Sequence, residues 1–130
     1  MKKLFMALMA VLMFASCGNG DSGNGSSSSG TVVDKLISYS VAYRNEIKAA
    51  IENDDTEKFV LASEKFADKV RGIKKALEKV DKNKIPAAKM KKCENVLNEV
   101  WEQLNYADEY MQFSEFQQER MMRVFENLDF

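Results

Sequence analysis

Two cysteines, Cys17 and Cys93, are the strongest nucleophiles in a chain of 130 residues that contains no histidine. Without imidazole, Ser-His and Cys-His activation, histidine metal ligation and Glu-x-x-His di-iron chemistry are excluded. No serine is followed three residues later by a lysine, which removes the Ser-x-x-Lys type of centre. Asp81-x-Asn83 starts like a calcium loop and then fails, with Ile85 and Pro86 where a ligand and the turn glycine belong. Gly18-x-Gly20-x-x-Gly23 has the spacing of a dinucleotide fingerprint, but no strand pattern leads into it and no helix opens at its end. Glu99, Glu102, Glu115 and Glu119 fall at helical spacing, where carboxylates on a charged face are ordinarily solvated. Trp101, Tyr106 and Tyr110 have the chemistry to hold an apolar or sugar ligand, with helix packing as their default use. No activated nucleophile or acid-base pair emerges, so neither an enzyme nor a metal or cofactor site is expected.

The two thiols have different surroundings. Cys93 belongs to an apolar series at helical spacing, which predicts a buried structural thiol. Cys17 follows the small residues Ala15 and Ser16, an unbroken apolar run from Leu4 to Phe14, and the basic pair Lys2 and Lys3. That run is too short to span a bilayer, which takes about 20 apolar residues. An ordinary secretory cleavage site needs small residues one and three positions before the cut, and Met13 and Phe14 spoil both frames.

Phe14-Ala15-Ser16-Cys17 resembles the lipobox of bacterial lipoproteins. The resemblance covers only the leader, and it implies that residues 1–16 are a signal peptide removed before Cys17. It further implies a diacylated Cys17 thiol and an acylated new N-terminus, which together anchor the protein to the cell envelope. One acyl chain holds a protein only marginally and two hold it stably. In lipoproteins of enteric type an aspartate after the cysteine implies retention in the inner membrane. Gly18 stands there, so the resemblance implies the outer membrane, on either its periplasmic or its surface face. The rival reading is a soluble secreted protein in which Cys17 pairs with Cys93.

Downstream of Cys17 the segment Gly18 to Gly30, GNGDSGNGSSSSG, has no apolar residue and reads as a flexible tether. Its thirteen residues give an average reach of about 20 Å. With the leader gone, 17 basic residues face 20 acidic ones, a net charge of -3 that does not suit nucleic-acid binding. Residues 17–30 are thus the lipidated cysteine and tether, and residues 31–130 suffice for one small domain.

That domain has the texture of an all-α, antiparallel three-helix bundle. Thr31 can cap a first helix over about 32–52, with Val33, Leu36, Ile37, Ser40, Tyr43, Ile47, Ala50 and Ile51 on one face. Asn53 to Asp55 supply turn residues, and Asp54 with Glu57 has capping-box spacing. A second helix to about Val80 turns Phe59, Ala62, Phe66, Val70, Ile73, Leu77 and Val80 inward. Gly72 within it predicts close approach of a neighbouring helix. Pro86 suits the first turn of a third helix, whose seam is Met90, Cys93, Leu97, Val100, Leu104, Ala107 and Met111. With no glycine or proline after Pro86, the preferred reading is one long helix to about residue 127, roughly 60 Å at 1.5 Å per residue. The alternative is a short fourth helix over 114–128 that folds back, which Ser114-x-x-Gln117 supports as a capping box.

Two surfaces follow. Residues 69–92 hold ten Lys or Arg against Glu78 and Asp81, a local +8, whereas residues 94–130 hold nine acids against Arg120 and Arg123, a local -7. Up-down-up connectivity brings the turn between the second and third helices to the tethered end. Lys82, Lys84, Lys89, Lys91 and Lys92 then form a candidate tip facing anionic head groups, as against ordinary solvated helix faces. A projecting third helix would expose Phe113, Phe116, Met121, Met122, Phe125 and Phe130 for an envelope partner or a second copy; folded back, the same residues are core. The function expected is therefore a lipid-anchored structural or interaction module, with a small-ligand-binding lipoprotein as the alternative.

Overall fold

The computed structural model describes the backbone of residues 26–80 and 82–128, and the side chains of 31–80 and 83–128. Cys17, the first part of the tether and Phe130 lie outside the described residues. What is described is all-helical: α1 (Ser26–Glu52), α2 (Thr56–Glu78), a single 3-10 turn (Lys82–Lys84), α3 (Ala87–Tyr110) and α4 (Glu115–Asn127), with no strand among these residues.

α1 starts before the expected position, and Thr31 lies inside it instead of capping it. Burial of Val32, Val33, Leu36 and Ile37 fixes the following turns. Backward growth through Ser26 to Ser29 is then propagation without a new nucleus, opposed mainly by about 1 kcal/mol at Gly30. The α1–α2 turn also differs by one position from expectation. Asp54 adopts a left-handed φ of 51°, so the cap falls to Asp55, whose carboxylate accepts from the Lys58 N–H at 3.0 Å. Pro86 sits just before α3, at φ -55°, and its carbonyl accepts from the N–H groups of Lys89 and Met90.

Cross-helix pairs give the directions. Tyr39 meets Lys69, Tyr43 meets Phe66 and Glu46 meets Lys65, partner numbers that fall as the first rises, so α1 and α2 close on their turn and run antiparallel. Asp34 with Lys89 and Arg44 with Glu99 keep a constant separation of 55, so α1 and α3 run parallel. α1 thereby packs against both α2 and α3. Leu36, Tyr43 and Ile47 of α1, Phe59 and Leu77 of α2, and Leu97 and Leu104 of α3 are essentially sealed from solvent. Inside this core the Tyr43 ring stacks on Phe66 at 4.4 Å. Ser63 donates its hydroxyl proton to the Phe59 carbonyl at 2.9 Å, leaving its oxygen to accept from the Tyr43 hydroxyl at 2.6 Å. Burial, opposed by the hydrogen bond to Ser63, raises the Tyr43 phenol far above its ordinary value.

The long third helix is not formed. α3 ends at Tyr110, the non-helical connector 111–114 is extended at Met111 and Ser114, and α4 turns back to pack on α2. The physical reason is burial: folding back covers Met121, Val124 and Leu128, which a projecting helix would leave in water. Gly72 departs from expectation as well. It is exposed, and a Cβ added there meets nothing within 4 Å, so no neighbouring helix approaches it.

Candidate functional site

Two ends of the molecule differ in charge and in apolar exposure. At the end where α1 begins, buried Val80 and Ile85 close the core beneath the α2–α3 connection. Lys89 pairs with Asp34 at 3.0 Å, drawing the start of α3 onto the start of α1. A groove of about 540 Å³ lies beside that pair, lined by Ile37, Ser38, Val41, Ala88 and Lys92 among others. Of the candidate basic tip, Lys91 and Lys92 are exposed, Lys84 and Lys89 are half-buried, and Lys82 lies in the 3-10 turn with its side chain outside the described residues. The five are therefore unequal in exposure, and Lys89 is held by a carboxylate partner.

At the opposite end, α4 is held by its own cap and by one arginine. The Ser114 hydroxyl accepts from the Gln117 N–H at 3.1 Å, and the Gln117 side chain accepts from the Ser114 N–H at 3.0 Å. This box satisfies amide donors that the start of any helix leaves unpaired. Further along, Arg120 donates to both carboxylate oxygens of Glu57 at 2.8 Å and to Glu64 at 2.6 and 3.1 Å. Glu57 and Glu64 stand two turns apart on one face of α2, so one guanidinium fork clamps α4 to two successive levels of its neighbour. Hydrogen bonds from Arg120, then from Gln117, hold the Glu57 carboxyl below its ordinary value, and the two carboxylates raise the Arg120 guanidinium. Phe113 adds a tilted ring contact to Phe59 at 5.5 Å.

The expected partner surface is divided by this fold-back. Met121 is buried, and Phe113 and Phe125 are half-buried against the core. Phe116 and Met122 stay 64% and 62% exposed. Because α4 leans on α2, a groove of about 580 Å³ opens between it and the end of α3. Asp108, Met111, Phe113, Met121, Met122 and Phe125 line most of it. Tyr106 and Tyr110, tilted against each other at 4.7 Å, are also exposed on the last turns of α3.

Cys93 is a free, fully buried thiol. Burial first, and the negative charge of Glu94 second, push it up to about 12, so it is neither a nucleophile nor a ready disulfide partner at neutral pH. Among the described residues no three acidic or cysteine side chains converge on a metal-sized site. No described helix is long and apolar enough to cross a membrane. The Arg120 clamp was missed in the sequence, although Glu57 and Glu64 at i and i+7 share a helix face and so signal it. Compared with protein-family models, curated proteins and solved structures, the chain matches none.

Proposed function

We propose that this protein is a lipid-anchored component of the bacterial cell envelope, an antiparallel helical bundle that acts as a protein-interaction module. The leader supports the anchor: a basic pair, a short apolar run and the Phe14-Ala15-Ser16-Cys17 lipobox resemblance. Acyl chains on Cys17 hold the domain, and Gly18 favours the outer membrane.

The observation that carries the module reading is the polarity of the fold. α1 leaves the tether at the end that also bears Lys84, Lys89, Lys91 and Lys92, while exposed Phe116 and Met122 lie on the half of the molecule nearer the α1–α2 turn. Anionic head groups attract near-surface cations by about 1 kcal/mol each. The basic end therefore faces the lipid, and the acidic, apolar half is presented to partners.

Intact mass of the membrane-extracted protein tests the anchor: a chain beginning at Cys17 with added acyl groups is expected, and an unmodified secreted chain would defeat it. For the basic end, changing Lys82, Lys84, Lys89, Lys91 and Lys92 to Gln should weaken binding of the unacylated protein to anionic vesicles. Unchanged binding would remove that part of the proposal. Cross-linking in intact cells from position 116 should yield one reproducible protein partner.

A further inference from the structure

The groove between α3 and α4 is a consequence of how α4 docks. Only four residues join the two helices, yet α4 packs on α2 and stands away from α3. Its lining is mainly Met111, Met121, Met122, Phe113 and Phe125. Methionine side chains are unbranched and polarizable, so they mould to irregular apolar partners. One helical wall from α4, a second wall from the end of α3 and its connector, a soft apolar floor and a volume of about 580 Å³ are the form of a helix-in-groove site.

Charge around this floor selects the occupant. Asp108 lines the groove and Glu109 is exposed beside it on α3. Along α4, Glu115, Glu119 and Glu126 are exposed at positions three or four residues from Gln118 or Met122, and so flank the lip. The only basic residues from 94 onward are Arg120, committed to Glu57 and Glu64, and exposed Arg123, which lies four residues after Glu119 and three before Glu126 and offsets one of these five acids.

We propose that this groove receives an amphipathic helix from another protein, with apolar residues on its inner face and Lys or Arg on its outer flanks. The inference rests on the interaction-module reading above and names its partner's chemistry. A second copy fits poorly. Two copies anchored in one leaflet through the start of α1 would bring their acidic halves level, and like charges meeting across an interface oppose association. An anionic membrane surface is repelled for the same reason.

The test uses the full chain in phosphatidylcholine nanodiscs, with empty discs as the blank. Three labelled peptides are titrated by fluorescence anisotropy: one with Leu at i, i+3, i+4 and i+7 and Lys elsewhere, its Glu counterpart, and the Lys peptide in scrambled order. The ordered Lys peptide is expected to bind at least tenfold more tightly than either control. Met122→Asp, at an exposed position that does not disturb the core, should weaken it at least tenfold with helical content unchanged. Glu115→Gln, Glu119→Gln and Glu126→Gln together should weaken it several-fold and flatten its salt dependence. Equal binding of the Lys and Glu peptides, or indifference to Met122→Asp in the folded protein, would overturn the inference. So would a dimer that Met122→Asp disperses, which would give the groove to a second copy. If no peptide binds while cross-linking from position 116 captures one partner in cells, the partner chemistry falls and the module reading survives. If both fail, both readings fall.

Discussion

Replacing Gly72 with alanine should stabilise this protein, and the size of the gain follows from its surroundings. The residue lies inside α2, has no positive φ, is exposed, and would bring an added Cβ within 4 Å of nothing. Neither steric cost nor backbone strain therefore opposes the change. What remains is the freedom that glycine loses on entering a helix, about 0.8 kcal/mol relative to alanine. That equals about a fourfold rise in the folding equilibrium constant. For a domain of this size, 1 kcal/mol moves the melting midpoint by about 4–8 °C, so Gly72→Ala should raise it by about 3–6 °C. Circular dichroism at the helix band through a thermal ramp, with urea unfolding as a second measure, reads the shift directly. An unchanged or lowered midpoint would refute the reasoning, because something would then have to pack on the face of α2 that is open here.

Three other perturbations probe separate parts of the fold. Cys93 should resist an aromatic disulfide reagent at mild alkaline pH and react fully once the chain is unfolded; rapid labelling of the native protein would contradict its burial. Ser114→Ala removes the acceptor of the Gln117 N–H and should cost about 1 kcal/mol, seen as faster hydrogen exchange in the first turn of α4. Glu57 is held below its ordinary value of 4.5 in the folded state, so the stability it contributes is present above that value and is lost as pH falls through the lowered one. The melting midpoint should accordingly drop on acidification, and the drop should be smaller in Glu57→Gln.

The three long helices could be read from apolar spacing because each seam is nearly free of polar interruptions. Every inward position expected of α2 and α3, from Phe59 to Val80 and from Met90 to Met111, is buried. Spacing alone underestimates the width of a buried face, however. Val32, Val60 and Ala67 are buried beside the expected stripes, since α1 is covered on two sides and α2 also receives α4, and Val96 on α3 is buried as well.

The break after Tyr110 was harder to see. No glycine or proline marks it, and the seven-residue register resumes at Met121 after polar Ser114 and Gln118. Local propensity is neutral there, and the decision belongs to tertiary burial, in which Met121, Val124 and Leu128 gain a core by turning back. Ser114 and Gln117 were the one local sign, and the box they form is present in both directions. The candidate groove was correspondingly invisible, because it depends on which neighbour α4 chooses. Its residue types could be named in advance, but not their division between core and surface.

The parallel run of α1 and α3, fixed by the repeated separation of 55 residues, bears on how the fold would resist a pulling force. In the proposed anchored arrangement, tension from the lipid would enter at the beginning of α1 and act along that helix, with a partner holding the far half through α4. α1 is then pulled lengthwise between α2 and α3, and their packed side chains resist together in shear. Peeling the layers apart one contact at a time would require force across the axis. Under the proposed anchoring, the same register that builds the core would make the domain a coupling suited to transmitting tension between the membrane and a bound partner.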